Sequence, residues 1–453
     1  MRKLGLLLFS LTPLLALSNQ TARAQSTARA QSPAKAAAVS ALTLARVVTA
    51  LSADNMRGRG LGAGADDAAR YLATEFRRAG LQPLPGLTGF EQEFAVYQSR
   101  SQQIRAILNG AEVSQSQTVL LSGQEQFSWS SAQARPPRRL VIGPDVDLKP
   151  KFVNDSLFDA PNDLLVLVHP AHTKWFNSLA AHYWTNPSYS PHQPARRTTL
   201  LVLTADPNPK SYELSGRTRL VKLPLRNIVG VLPGRAKDPL LAGQQVLFSA
   251  HYDHLGIVKA VAGDSIANGA DDDASGTAAV VALAEYFARR QDNARTLVFV
   301  AFTGEETGGF GATHFAAGLQ PAQVVADFNL EMIGTPAKFG PNSAFITGAD
   351  KSDFAAIVRR DGAAGGFRFE ADPYPEQYLF YRSDNYKLAQ LGIPAHTIST
   401  VQLPTATHYH SVKDDVAGLH LPTLYAVAAA VAQGAAGIVA GTATPTRVAP
   451  EKP

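Results

Sequence analysis

The chain has 453 residues, 45% hydrophobic and 17% charged, which is enough apolar material for about two or three packed domains. Its formal charge of +5 arises wholly in the first forty residues, where Arg2, Lys3, Arg23, Arg29 and Lys35 stand without an acid. From Ala41 onward the charge balances, which excludes a domain built to hold nucleic acid. There is no cysteine, which excludes disulfides and a lipid-modified cysteine anchor.

In chain order, Arg2 and Lys3 precede a short apolar run, Leu4 to Leu17, and then Ala22-Arg23-Ala24. This is the pattern of a secretory leader over 1–24, so export to the periplasm or beyond is expected. The run is too short to cross ~30 Å of hydrocarbon, so no stable membrane anchor is expected. TARAQS then occurs twice, and an Ala-rich stretch follows, giving a low-complexity linker over 25–40. Leu42 to Leu51 and Asp66 to Ala79 have helical spacing, the second through Ala69, Leu72, Ala73 and Phe76. The glycine-rich MRGRGLGAGADD between them reads as a connector, because no lysine follows to make a phosphate loop.

Between about 96 and 225, short apolar runs (Gln103–Leu108, Leu164–Val168, Leu200–Thr204) alternate with Pro, Asn and Ser clusters, the texture of an inserted β-rich domain. Its His169, His172, His182 and His192 show no metal-ligand spacing. From Asn227 onward the strands Ile228–Leu232, Val246–Ala250, Leu297–Phe302, Val325–Ile333 and Ile393–Ile398 alternate with helices such as Ser275–Arg290. The expected fold is therefore a three-layer α/β/α domain with a mostly parallel central sheet. The Ala-rich Pro422–Val439 reads as a buried core helix rather than a membrane span, and 441–453 reads as a flexible tail.

The acids and histidines fall where such a sheet concentrates chemistry, beyond the carboxyl ends of its strands. Val246–Ala250 runs into His251, Tyr252 and Asp253; Leu297–Phe302 runs into Glu305 and Glu306; Val325–Leu330 runs into Glu331. NGADDDASG places Asp271, Asp272 and Asp273 before a helix with Ser275 as its expected N-cap, and THYHSVKDD supplies His408 and His410. Any one fragment has an ordinary structural explanation. Together these carboxylates would repel one another unless cations neutralised them, and mixed imidazole and carboxylate donors suit zinc.

HYDHLG, NGADDDASGT, FTGEETGGFG, FNLEMIG and YHSVKDD, in that order, resemble the signature of the co-catalytic di-zinc aminopeptidases. That family includes bacterial leucyl aminopeptidase and aminopeptidase Y and is related to glutamate carboxypeptidase. The resemblance spans 41–95 and 226–440, the expected peptidase domain. It implies two zinc ions per chain, with Asp272 bridging them, His251 and Glu331 completing one, and Glu306 and His410 completing the other. It further implies Glu305 as general base acting on a metal-bridging water, Asp253 orienting His251, and peptides with a free N-terminus as substrates.

Two positions depart from the family pattern: Glu331, where many members carry Asp, and Asn385 of LFYRSDNY, where His is frequent. Tyr381 and Arg382 stand open between substrate contact and loop packing. His254 and His314 are expected to be structural, and His408 is a weaker candidate than His410. On the same fold a carboxypeptidase, a dipeptidase or a glutaminyl cyclase remains an alternative, as does a binding scaffold that has lost catalysis. The insert lies where relatives carry a protease-associated or lid domain, and restriction of substrate access is its expected role.

Overall fold

The computed structural model describes residues 38–148 and 162–449. The expected leader and nearly all of the expected linker lie outside the described residues. Residues from Ala38 onward form one compact unit.

Its centre is a mixed sheet whose middle is parallel. Gln245–His251 lies between Thr296–Phe302 and Val324–Leu330, parallel to both, and Ala395–Ser399 continues the parallel order beyond Val324–Leu330. Arg368–Ala371 and Ser343–Ile346 close one edge, and the antiparallel strand Tyr212–Leu232 adjoins Thr296–Phe302 on the other side.

The central parallel strands are buried along almost their whole length and are largely apolar because both faces are covered, with Ser249, Asp327 and Asn329 as polar exceptions that bond to one another. Side chains alternate with period two. Phe248, Phe299 and Phe328 stack on one face, where Phe287 of the helix Gly276–Arg290 and Phe354 of the helix Phe354–Gly362 meet them. Leu247, Val298 and Val300 point to the opposite face, where they pack with Ala312 and Phe315 of the helix Phe310–Ala317 and with Leu388. The expected three layers are present.

The insert is built on two long antiparallel strands, Glu91–Leu108 and Tyr212–Leu232, which leave the main sheet as a continuous ribbon. Both cross the expected limits at 96 and 225, so no linker separates the insert from the main sheet. Beyond the ribbon lies a four-stranded sheet in the order 118–122, 198–203, 164–168, 138–142. The helix Thr173–Thr185, which the β-rich expectation lacked, packs Phe176 and Ala180 against Ile142, Val166 and Leu201 of that sheet. Its histidines are held locally: His172 Nε2 lies 2.8 Å from Gly143 O, and His169 Nδ1 accepts from Ala171 N. Tyr189 of the insert packs with Phe310, the residue that opens the helix after Glu305 and Glu306.

The expectation of a flexible tail needs correction. Residues 441–449 are packed rather than flexible. The buried Arg295 guanidinium donates to Ile438 O and Ala443 O, each at 2.6 Å, and Arg447 donates to Val324 O at 2.6 Å. Val448 enters the core beside Ile393 and Ala395. The final helix is broken into Leu421–Gly434 and Ala436–Val439. Among the described residues no helix is long and apolar enough to cross a membrane.

Candidate metal centre

Parallel pairing sets His251 opposite Phe302 and Ser249 opposite Asn329. The three strands therefore end level, and the loops beyond them carry Glu305, Glu306 and Glu331 to one rim with His251. Asp272 reaches the same rim from 270–275, a segment tied down at both sides. The Asp414 carboxylate accepts from Asp271 N at 2.8 Å and Asp272 N at 3.0 Å. Ser275 does not cap the next helix: its hydroxyl donates to Asp271 O, while Asp273 Oδ1 accepts from Gly276 N at 3.0 Å and from Met332 N at 3.1 Å. The cap falls to Asp273, whose Oδ1 also holds the Glu331–Met332 turn.

Asp272 turns its oxygens to different imidazoles. Oδ1 is 3.3 Å from His251 Nε2, and Oδ2 is 3.4 Å from His410 Nε2. Glu306 Oε2 is 3.1 Å from His410 Nε2. Zinc bonds of about 2.0–2.1 Å place neighbouring ligand atoms about 3.3 Å apart at the corners of a tetrahedron. All three separations match that edge, so the donors fit zinc in chemistry and in spacing. His251 Nε2 and Glu331 Oε2 are buried and have no hydrogen-bond partner among the described residues, as expected of atoms that face a cation.

Electrostatics agree. Burial pushes the Glu331 carboxyl up to about 7, with His251 opposing and Asp272 reinforcing the shift. Burial likewise holds Asp273 well above the usual carboxylate range, again opposed by His251 and reinforced by Glu331. Burial pulls the His251 imidazole down, but its contact with Asp272 and the surrounding acids hold it well above its ordinary value. Carboxyl groups outnumber imidazoles around the centre, and each acid reinforces the upward shift of its neighbours. His410, with 38% of its side chain exposed, marks the open side.

Asp253 differs from the expectation in detail. His251 Nδ1 is 3.1 Å from the main-chain carbonyl of Asp253 and 3.8 Å from its carboxylate. The carboxylate instead accepts from Glu305 N at 3.2 Å through Oδ1. One residue thus steadies the imidazole by its backbone and the Glu305 loop by its side chain.

His254, expected to be structural, stands within the cluster, its Nδ1 2.6 Å from Glu306 Oε1 and 3.9 Å from Asp272 Oδ2. His314 lies outside, stacked on Phe94 at 4.7 Å. His408 Nε2 reaches Asp271 Oδ2 at 3.3 Å, on the acid beside Asp272. Arg382 is exposed, 3.5 Å from both Gln377 Oε1 and Tyr409 OH. It lines, with Glu331, Met332, Phe345, Leu379 and Val401, a cavity of about 40 Å³. Tyr381 packs on Phe380 and Tyr386 instead. Asn385, at the other departure, donates to Phe380 O and Ala395 O and accepts from Thr397 Oγ1, bracing the loop that carries Arg382.

The glycine-rich loop is more than a connector. Arg59 is fully buried and donates to the carbonyls of Tyr252 at 2.6 Å, Gly269 at 2.7 Å and Leu51 at 2.8 Å, and also to those of Asn268 and Asp272. It ties the backbone after His251 to the backbone before Asp272. Gly58, at φ +59°, leaves the space: a Cβ there would sit 2.3 Å from Ala267 O. The signal available in the sequence was an arginine set between glycines.

Residues 227–435 match the model of Peptidase family M28. Over 198 residues the chain is 29% identical to a vacuolar membrane protease of Schizosaccharomyces pombe, a match covering 42% of this chain and 20% of that protein. Over 113 residues it is 36% identical to a probable zinc metalloprotease of Pyricularia oryzae, covering 24% of this chain and 21% of that one. The chain thus spans about a fifth of the length of these curated relatives. Among solved structures, an aminopeptidase from Aneurinibacillus superposes with a TM-score of 0.57 at 14% identity, covering 92% of this chain and 97% of that one. A zinc aminopeptidase from Bacillus subtilis superposes at 0.55 and 16% identity, covering 89% and 96%. At these identities the structural likeness speaks to the fold.

Proposed function

We propose, on the premise that residues 227–435 belong to peptidase family M28, that the protein is an exported aminopeptidase that removes the first residue of peptides with the help of two zinc ions. The observation that carries this reading is Asp272, whose two carboxylate oxygens each face a different imidazole, as a bridging ligand would. His251 and Glu331 would complete one ion, and Glu306 and His410 the other. Bound there, zinc would supply Lewis acidity toward the scissile carbonyl and lower the pKa of water.

The remaining chemistry falls to the chain. Burial of the Glu305 carboxyl, opposed by His251 and reinforced by Glu331 and Asp384, holds it well above the usual carboxylate range. Such a group suits taking a proton from the attacking water and handing it to the leaving amine. Asp253 Oδ1, accepting from Glu305 N, keeps it in place. Surplus carboxylate around the site favours a substrate with a free, positively charged α-amino group. Export is supported by the charged and apolar pattern of residues 1–24.

The test is a panel of free and N-acetylated peptides, each assayed with and without a chelator. Cleavage lost on acetylation and on chelation is the expected result. Release of the C-terminal residue, or cleavage that survives chelation, would overturn the assignment.

A further inference from the structure

We infer that His254 is a positioning residue that holds Glu306 Oε1, so that Glu306 Oε2 alone is presented to the ion shared with His410 and Asp272. The inference rests on the two-zinc reading above and concerns a histidine that this reading leaves without a task.

The distances separate a holder from a ligand. Two donors on one tetrahedral zinc stand about 3.3 Å apart, as His410 and Glu306 Oε2 do at 3.1 Å. His254 Nδ1 and Glu306 Oε1 are 2.6 Å apart, too close to flank an ion and right for a short hydrogen bond to a charged acceptor. Nδ1 therefore donates to the carboxylate, and Oε1 is engaged before any metal arrives. Glu306 is left with one free oxygen, aimed at His410.

The ring that does this cannot swing away. The His254 side chain has no exposed surface, and its backbone N–H donates to Arg59 O at 3.3 Å. Gly269, at φ +61°, lies flat against it: a Cβ there would stand 2.6 Å from both Cγ and Cδ2 of the imidazole. The segment that delivers Asp272 is thus also the wall that keeps His254 facing Glu306. Freed of this contact, Glu306 could turn, and the geometry of that one ion would loosen while the His251–Glu331 side stayed as it is.

Zinc titration of the metal-free protein by calorimetry, with melting curves to check folding, tests the inference without relying on activity. His254→Phe fills the ring's space but has no donor; His254→Asn offers an N–H near the position of Nδ1. Wild type should take up two ions. His254→Phe should weaken one binding step about 10–100-fold and spare the other, and His254→Asn should recover most of that loss. Wild-type affinity for both ions in His254→Phe, or equal losses in the two variants, would overturn the inference. Should His254→Phe fail to fold, His254→Asn decides: near-wild-type binding upholds the inference and loss of one step overturns it. A wild-type protein that takes up a single ion would instead refute the two-zinc reading beneath it.

Discussion

The main-chain N–H of Glu305 donates to Asp253 Oδ1 at 3.2 Å, while the carbonyl of the same Asp253 lies 3.1 Å from His251 Nδ1. The candidate base and a candidate metal ligand are therefore held from one residue on a neighbouring strand end. Glu305→Gln keeps this backbone bond and removes the proton acceptor. Turnover should fall about 10²–10⁴-fold with zinc content unchanged, as read by steady-state kinetics beside elemental analysis; full activity would remove Glu305 from its role.

Metal stoichiometry should distinguish the two kinds of ligand. Asp272→Ala removes a carboxylate that faces both imidazoles, so both ions should be lost or bound much more weakly. His410→Ala removes a donor from one side and should leave one ion in place. Zinc per chain after dialysis reads this directly, and equal losses from the two variants would argue against a bridge.

Arg59 offers a prediction on stability. Replacing it with Met leaves the carbonyls of Leu51, Tyr252, Asn268 and Gly269 without that donor in a buried place. At about 1–3 kcal/mol for each buried group left unsatisfied, denaturant unfolding should register a loss of at least ~3 kcal/mol. Arg59→Lys should recover only part of it, because an ammonium cannot reproduce the planar fork of donors.

Asp327 should make stability depend on pH, away from the metal ligands. Burial pushes its carboxyl from 3.8 up to about 7, against a Ser249 hydroxyl that donates to it at 2.8 Å. Unfolded, the group ionises near its ordinary value; folded, it keeps its proton until about 7. The folded state binds the extra proton between those values, so this contribution to stability is lost as pH rises from 3.8 to about 7. Asp327→Asn should therefore gain on wild type as pH rises, by an amount on the order of a few kcal/mol at pH 8, and should differ little at pH 4. Parallel melting-temperature profiles of the two proteins would expose an absent effect.

The parallel strands and the acids at their ends were legible in the sequence because strands covered on both faces are written as largely apolar runs. The residues just beyond each run are then placed by the sheet itself. His251, Glu305, Glu306 and Glu331 could be named this way. The helix Thr173–Thr185 was not legible, since its apolar positions sit in a stretch punctuated like a β-rich module. The packed course of 441–449 depends on Arg295 and on a core groove that no local pattern encodes.

The order and residue types of the candidate centre, with the neutral charge of the chain beyond its first forty residues, were settled by sequence alone, because covalent order and strand periodicity are local. Only the tertiary structure decided that His254 faces Glu306, that Asp253 serves His251 through its carbonyl, and that Arg59 lies beneath Asp272. Each of those facts is a distance between segments, set by how a buried charge and a left-handed glycine pack, and no spacing along the chain carries it.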